Sequence, residues 1–198
     1  MPILQPGYSD VPPGHLAAVA TTLEMRAPPA MPPAAQDERW RLRAVVSPDI
    51  AWYRALYRAI GEEWLWTSRL RKSDAELAAL LNAEGVEVYA LTSEEQDCGL
   101  LELDFRVAGA CEIVYFGVTP AMVGVGAAHW LMRTCQSIAW ARDISRLWLH
   151  TCTLDHPRAL GFYMRAGFTP IKREVEVFPD PRLDGALARD AAPHVPIL

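Results

Sequence analysis

Apolar and polar positions in the first part of the chain predict two strands followed by two helices. Residues His15–Met25 combine small and β-branched side chains, and residues 40–46 alternate apolar with charged side chains, so we predict a strand in each. Apolar side chains recur at helical spacing over 49–61. A Ser-x-x-Glu capping box at Ser73 then opens a second helix, which ends near Gly85.

The rest of the chain alternates between strand and helix patterns. Three short apolar runs with polar connections predict an antiparallel meander, at 86–91, 99–105 and 112–118. A helix, a strand, a short helix and a last strand follow, at 126–142, 146–152, 157–166 and 168–178. This order predicts an α/β (α+β) fold, a three-layer domain in which helices flank a mixed, mostly antiparallel sheet.

Proline content indicates where the main domain begins. The segment 26–38, RAPPAMPPAAQDE, is expected to form an extended linker. We therefore predict an N-terminal strand and Pro-rich linker packed on the domain (1–39), a main domain (40–178) and a C-terminal tail (179–198). The first 25 residues are expected to add an edge strand to the sheet or to exchange with a partner chain.

The composition is that of a globular protein without a nucleic-acid or membrane partner. The 198 residues are 51% hydrophobic and 22% charged, and a net charge of -5 without a basic run argues against nucleic-acid binding. No apolar run approaches the ~18 residues of a membrane span, and the N-terminus lacks the features of a secretion signal. The four cysteines lie far apart in apolar runs. They predict reduced thiols, no metal site and a cytoplasmic protein.

Two glycines stand at the start of the helix predicted at 126–142. In VTPAMVGVGAA, Gly124 and Gly126 allow the backbone to approach an anion such as a pyrophosphate, because the first helical N–H groups have no partner within the helix. A nucleotide P-loop is excluded because no Lys-Ser/Thr follows. A dinucleotide-binding fingerprint is disfavoured because the preceding strand closes a meander. Alone, the turn is equally typical of a purely structural feature.

Two ordered motifs resemble those of the GNAT superfamily of acyl-CoA N-acyltransferases. The first is Val-Thr-Pro at 118–120 followed by Val-Gly-Val-Gly-Ala-Ala at 123–128. The second is His-Pro-Arg-Ala at 156–159 followed by Tyr163 and by Gly-Phe at 167–168. The order of elements matches the family over 40–178, and this resemblance implies that the main domain is an acyl-CoA transferase domain.

The resemblance also implies acetyl-CoA as co-substrate and no metal, with the pyrophosphate at the glycine turn and the pantetheine arm along the preceding strand. Val123 stands where the family has Gln or Arg, and His156 where it has Asn, but the backbone N–H groups of the turn remain. The implied cofactor-binding residues are Phe116, Val118, Val123, Gly124, Val125, Gly126, Ala127, Ala128, His156, Ala159 and Tyr163.

Acyl transfer to an amine needs a base, because a free alkylammonium has a pKa near 10. Glu112 is the first candidate: it begins the run EIVYFGV, and the resembling strand of histone-type family members places a catalytic glutamate before a similar run. The pair Asp155 and His156 is a second candidate, and a chain of water molecules is a third. Tyr163, one helical turn after Ala159, matches the family's general acid, which protonates the leaving thiolate.

Three neighbouring features have structural interpretations. His150 and Cys152 lie two apart in the apolar run LWLHTC, so we interpret them as packed neutral side chains rather than as a nucleophilic pair. Asp155 is expected to cap the short helix that follows it. Gly117 is expected to mark a bulge where two strands separate.

Four aromatic residues on the first helix and the following loop lie where the family forms one wall of the acceptor site: Trp52, Tyr53, Trp64 and Trp66. Core or lid packing is the alternative. The leading hypothesis is an N-acetyltransferase that moves the acetyl group directly, in a ternary complex, to a primary amine of a small molecule or peptide. A transferase for another acyl-CoA and a non-catalytic acyl-CoA-binding or sensing module are the alternatives, and homodimerisation stays open.

Overall fold

The described part of the chain, residues 4–30 and 37–198 of a computed structural model, contains seven strands and four α-helices. The strands are β1 His15–Met25, β2 Arg41–Ala44, β3 Val86–Ser93, β4 Gln96–Asp104, β5 Ala110–Val118, β6 Arg146–Cys152 and β7 Thr169–Pro179. The helices are α1 Ile50–Gly61, α2 Asp74–Leu81, α3 Ala127–Trp140 and α4 Ala159–Arg165. Each lies where the apolar pattern predicts it. Part of the predicted linker, 31–36, lies outside the described residues.

One mixed sheet has the strand order β2-β3-β4-β5-β6-β1-β7. The predicted meander is confirmed as β3, β4 and β5, while β5 and β6 pair in parallel and the other neighbours are antiparallel. β1 lies between β6 and β7 and pairs with both along most of its length. The expectation of an edge or exchanged strand is therefore wrong, because both sides of β1 are already paired within its own chain.

Helices cover both faces of this sheet, which confirms the predicted three layers. α3 and α4 pack on one face, around a core that includes Leu131, Leu103 and Leu149. α1 and α2 pack on the other face, around Tyr57 and Leu100, and this second face is called the α1 face below. Each fully buried side chain of this size contributes about 1.5–3 kcal/mol relative to an exposed one. No helix of residues 4–30 or 37–198 is long and apolar enough to cross a membrane.

A bulge in β5 lies at Val114 rather than at the predicted Gly117. Tyr115 pairs with Glu102 of β4 while Ile113 pairs with the next residue, so Val114 has no partner in the register. Gly117 pairs regularly with Leu100. A Cβ on Gly117 would overlap the side chain of Ile60, so the glycine is needed for the close approach of α1 rather than for a bulge.

The parallel pairing of β5 with β6 stops early. It runs only from Ala110 opposite Arg146 to Glu112 opposite Trp148, although β5 continues to Val118 and β6 to Cys152. Past Glu112 the two strands no longer share hydrogen bonds, and a cleft opens between them that we call the wedge. The wedge leaves one side of the β5 backbone without a strand partner.

The segment after β7, predicted as a tail, packs on the domain. The side chains of Arg182 and Asp180 are each 2% exposed and form an ion pair at 2.7 Å, while Arg182 Nη1 donates to the carbonyl oxygens of Ala191, Ala192 and Val195. Leu187 of this segment is buried against Leu65, in the loop after α1. The C-terminal segment is thereby tied to the side of the domain that carries that loop.

Replacing Arg182 with Met is expected to lower the free energy of unfolding by at least about 3 kcal/mol, because it leaves the Asp180 carboxylate buried without its partner. Urea unfolding measures the loss. Arg189→Met, at an exposed arginine of the same segment, is the matched control and should leave the stability close to wild type. Equal stability of both variants contradicts the role given to the buried pair.

Candidate active site

The wedge has a polar side chain at its closed end. Glu112 belongs to the last pair before the strands separate, and its partner Trp148 lies on the same face of the sheet. His150, two residues beyond Trp148, shares that face because strand side chains alternate. Glu112 and His150 therefore meet on the α1 face, at the point where the wedge begins.

The glycine turn lies beyond the open end of β5. Gly124 and Gly126 have φ values of +87° and +96°, which favour glycine, and Gly126 is the N-cap of α3. The backbone N–H groups of 125–129 have no acceptor among the described residues, and no side chain caps the helix. A Cβ on Gly124 meets no atom within 4 Å, so the turn is open. These free donors and the helix dipole fit a bound pyrophosphate.

The predicted pantetheine residues Phe116 and Val118 lie on the part of β5 that borders the wedge. Their backbone pairs with β4 on one side and has no strand partner on the other, which leaves main-chain groups to bind an extended arm. The ring of Phe116 points to the other face of the sheet, where it stacks on Phe162 of α4 at 5.7 Å. β5 and α4 thus meet across the wedge.

Tyr163 lies on α4, next to this contact. Its ring packs edge-on against Phe116 and Phe168, with centroids 6.1 and 6.3 Å away. Its hydroxyl has no hydrogen-bond partner in the described part of the chain, so it is available to a ligand. Burial, followed by the negative charge of Asp155, raises the pKa of Tyr163, and the phenol stays protonated at neutral pH.

Asp155 and His156 have structural contacts. The Asp155 carboxylate accepts hydrogen bonds from Trp66 Nε1 at 3.1 Å, from Thr151 Oγ1 at 2.7 Å and from the backbone N–H of Cys152 at 2.9 Å. It does not cap α4, so that expectation is wrong: the loop turns the carboxylate toward β6. His156 Nδ1 instead accepts the backbone N–H of Arg158 at 3.1 Å, in the turn before α4.

The four aromatic residues predicted at the acceptor wall lie in different places. Trp66 crosses the wedge, since its ring packs on Tyr115 at 5.0 Å and its N–H binds Asp155. Trp64 lies between the rings of His156 and His194. Trp52 donates to Asp97, near the start of β4. Tyr53 is 0% exposed, so the prediction that Tyr53 contacts the substrate is wrong.

A buried network under the α1 face holds these aromatic rings, and the apolar pattern gave no sign of it. The Glu102 carboxylate accepts a hydrogen bond from the Tyr53 hydroxyl at 2.5 Å and pairs with Arg69 Nη2 at 2.5 Å. The Arg69 guanidinium lies 4.9 Å from the ring centroid of Tyr115, whose hydroxyl is hydrogen-bonded to Ser68. The loop after α1 is thereby attached to β4 and β5.

Glu112 differs from the other acids near the wedge because no arginine or amide holds it. Its nearest polar partner is His150, with 3.7 Å between Glu112 Oε1 and His150 Nδ1. Four other carboxylates near the wedge each have a partner: Glu102 binds Arg69, Asp104 binds Arg106, Glu24 binds Arg146 and Asp155 binds Trp66. Glu112 is therefore the carboxylate at the wedge that is available for proton transfer.

His150 contradicts the interpretation as a packed neutral side chain. Its side chain is 57% exposed, because no helix covers this part of β6 on the α1 face. The Glu112 carboxylate raises the pKa of His150, and the charges of Asp155 and Glu176 act in the same direction against desolvation. Cys152 stays half-buried, and burial raises the pKa of its thiol.

Metal-ligating side chains and thiols are the remaining reactive groups of the domain. Among residues 4–30 and 37–198, no group of three His, Cys, Asp or Glu side chains is placed to hold a metal ion. All four cysteines lie within these residues as free thiols.

A separate depression at the end of β1, lined in part by Arg26, Arg165 and Thr169, contains none of the predicted site residues.

The glycine turn at the N-terminus of α3 and the unpaired edge of β5 lie where the resemblance to acyl-CoA transferases implies the pyrophosphate and the pantetheine arm. The family model described as the acetyltransferase (GNAT) family matches residues 51–168, more than half of the chain. The chain belongs to this family, and the resemblance drawn from the two motifs is confirmed. A search of proteins with curated functions found no match.

Solved structures share the fold at low sequence identity. A conserved Staphylococcus epidermidis protein of unknown function has a TM-score of 0.57 and 13% identity over 84% of this chain and 63% of its own. A GCN5-related N-acetyltransferase from Sphaerobacter thermophilus has a TM-score of 0.60 and 19% identity over 85% of this chain and 52% of its own. An aminoglycoside acetyltransferase from a soil metagenome, in complex with sisomicin, has a TM-score of 0.54 and 14% identity over 65% of this chain and 88% of its own. The chain thus spans between half and two thirds of the first two proteins.

Replacing Glu112 with Gln removes the charge that does most to raise the pKa of His150. The His150 titration, followed by NMR of its ring protons, is expected to move to lower pH, toward the usual value of about 6.5. His15, whose Nδ1 lies 3.0 Å from the Pro13 carbonyl oxygen, provides an internal control that should not move. An unchanged His150 midpoint contradicts the coupling.

Proposed function

We propose that this protein is an N-acetyltransferase that moves the acetyl group of acetyl-CoA to a primary amine of a small molecule or peptide. One observation carries the proposal: Glu112, a carboxylate without an arginine partner among the described residues, lies where the wedge opens. From this point on, the β5 backbone has no strand partner on the side of the wedge. The free N–H groups of 125–129 and the hydroxyl of Tyr163 complete the set of groups that the reaction needs.

Binding is assigned to backbone groups. The N–H groups of 125–129 bind the pyrophosphate, and the unpaired edge of β5 around Phe116 and Val118 binds the pantetheine arm. Because these donors belong to the main chain, Val123 in place of a polar side chain does not remove them. A β5 backbone N–H also polarises the thioester carbonyl, which stabilises the charge that develops on its oxygen.

Acetyl-CoA supplies an activated thioester, and the protein supplies a base and an acid. The ammonium of the acceptor must lose a proton before its nitrogen can attack the acetyl carbon. Glu112 accepts this proton, directly or through water. As the carbon–sulfur bond breaks, the Tyr163 hydroxyl gives its proton to the sulfur, which leaves as a thiol. The new amide nitrogen gives up its second proton, and this proton restores the Tyr163 hydroxyl.

Direct transfer is favoured over a covalent enzyme intermediate. The nearest thiol on the α1 face is Cys152, and burial raises the pKa of that thiol, which disfavours the thiolate that a nucleophile needs. Tyr163 is protonated, which suits an acid rather than a nucleophile. Both groups therefore support attack by the amine itself, within a ternary complex.

The charge of the site and the similarity of its fold to a known acetyltransferase both favour an amine as the acceptor. The carboxylates of Glu112, Asp155 and Glu176 give this side of the site a negative potential that favours a cation. One fold neighbour is an aminoglycoside acetyltransferase in complex with sisomicin, a cationic amine, which supports the same class of acceptor. A cytoplasmic location, a homodimer and the predicted cofactor set remain predictions.

Val125→Glu tests the pyrophosphate site without weakening the fold. Val125 is 49% exposed at the N-terminus of α3, where an acidic side chain stabilises a helix by about 0.3–1 kcal/mol. The variant should keep its thermal stability but bind acetyl-CoA at least tenfold more weakly, as measured by calorimetric titration. Val46→Glu, at a valine that is 89% exposed and lies before α1, is the control. Equal affinities for wild type and Val125→Glu contradict the assignment.

Tyr163→Phe tests the acid. Turnover, measured as release of the CoA thiol, is expected to fall at least tenfold, because the leaving thiolate loses its proton donor. Acetyl-CoA affinity should stay within a factor of about two, since the ring and its packing remain. Tyr89→Phe, at a tyrosine whose hydroxyl binds Glu87, removes a hydroxyl away from the wedge and is the control. Unchanged turnover in Tyr163→Phe rejects the assignment.

These experiments also separate the alternatives. A protein that binds acetyl-CoA but releases no thiol with any amine supports the sensing module. If acetyl-CoA does not raise the melting temperature but a longer acyl-CoA does, the result supports a transferase that uses another acyl donor. A ligand at 100 times its dissociation constant adds about 2.7 kcal/mol of stability, which shifts the melting temperature by a few degrees.

A further inference from the structure

Glu112 and His150 form an isolated pair at the point where the wedge opens. Glu112 is the last residue of β5 that pairs with β6, and His150 lies on the part of β6 that pairs with β1 but no longer with β5. The side chain of His150 is 57% exposed and that of Glu112 is 25% exposed. An acceptor arriving on the α1 face therefore meets the imidazole before it meets the carboxylate.

The orientation of the pair leaves one ring nitrogen available. Nδ1 of His150 lies 3.7 Å from Glu112 Oε1, so Nε2 is the nitrogen that does not face the carboxylate. With the mobile proton on Nδ1, directed at Glu112, Nε2 carries a lone pair. This is the arrangement in which a carboxylate orients a histidine that accepts a proton.

The groups around His150 favour a positive charge on its ring. Glu112 faces it from β5, Glu176 from β7 and Asp155 from the loop after β6. On β1 the residue directly opposite is Thr22, which is uncharged. On the other side of Thr22, β7 places Lys172, which is the one cation that lies in register with His150 across the described strands. Lys172 is paired with Glu174 at 2.8 Å.

We propose that His150 is the catalytic residue that takes the proton from the acceptor ammonium, with Glu112 orienting its ring and balancing its charge. The inference rests on the proposed function and names the group between Glu112 and the amine. The N–H bond of the ammonium breaks and its proton goes to Nε2. The freed electron pair forms the bond to the acetyl carbon, the carbon–sulfur bond breaks, and the sulfur takes the proton of Tyr163. The new amide nitrogen then loses its second proton, which restores the Tyr163 hydroxyl. His150 then releases its proton to water.

Matching of proton affinities favours the imidazole over the carboxylate alone. An unperturbed glutamate has a pKa of about 4.3, about six units below that of an alkylammonium, whereas a histidine at about 6.5 is closer by two units. The neighbouring carboxylates raise the pKa of His150 and narrow the gap further. A base closer to its substrate in proton affinity removes the proton more efficiently.

The test compares His150→Gln, His150→Ala and His15→Gln as full-length proteins. Release of the CoA thiol is measured with acetyl-CoA and sisomicin, putrescine or a peptide with a free amino terminus, across a range of pH. For wild type, kcat/KM should rise with pH as His150 loses its proton, with the midpoint above 6.5. In His150→Gln, kcat/KM should fall at least tenfold and lose this midpoint. His15→Gln should behave as wild type.

Two further readouts separate chemistry from structure. Added imidazole should restore part of the activity of His150→Ala, because the site is exposed, and should not affect Tyr163→Phe. Acetyl-CoA affinity and thermal stability should be unchanged in both His150 variants. In Glu112→Gln, the midpoint of kcat/KM should move to lower pH together with the NMR titration of His150.

The outcomes are distinct. Wild-type activity together with an unchanged pH profile in His150→Gln overturns the role of His150 and leaves the proposed function in place. A tenfold loss in His150→Ala without rescue by imidazole, with acetyl-CoA binding or stability also lost, shows a structural role and overturns the inference. Absence of thiol release by wild type with every amine overturns the proposed function and this inference with it.

Discussion

The short parallel pairing between β5 and β6 determines most of the functional surface of this protein. The two strands share register over three residue pairs, from Ala110 to Glu112 on β5, and then separate. Two consequences follow from that separation: main-chain groups of β5 lose their partner, and α4 can reach Phe116 from the other face. A sheet with continuous pairing here would bury its backbone donors and leave no cleft for a ligand.

The two faces of the wedge are stabilised by different physical means. On the α4 face, aromatic rings pack on one another and on the core. On the α1 face, the buried carboxylate of Glu102 binds the Tyr53 hydroxyl and the Arg69 guanidinium, and Trp66 donates a hydrogen bond to Asp155. A buried ion pair is costly to form but strongly destabilising to break, so it specifies one position for the loop rather than adding much stability. That loop borders the open side of the wedge, next to the proposed site of proton transfer.

Local patterns predicted most of this fold, and non-local pairing explains what they missed. Strand alternation, helical spacing and the glycine turn depend on neighbouring residues, so β3 to β5, the four helices and the motif around Gly126 could be read from the sequence. The position of β1 depends on residues more than a hundred positions away. His150 looked buried because LWLHTC is apolar, and only the absence of a covering helix exposes it. Asp155 was assigned to a cap on proximity alone, whereas its partners come from Trp66 and β6.

The interior position of β1 also affects how the chain is made. Ala20 pairs with Cys152 on one side and with Glu174 on the other, so β1 has no strand partner until β6 and β7, more than a hundred positions later, have been synthesised. Such long-range pairing slows folding, and an unpaired strand edge is prone to associate with other chains. The half of the sheet that carries His150 is therefore completed last, and the surroundings of His150 form only when β1 has paired with β6 and β7.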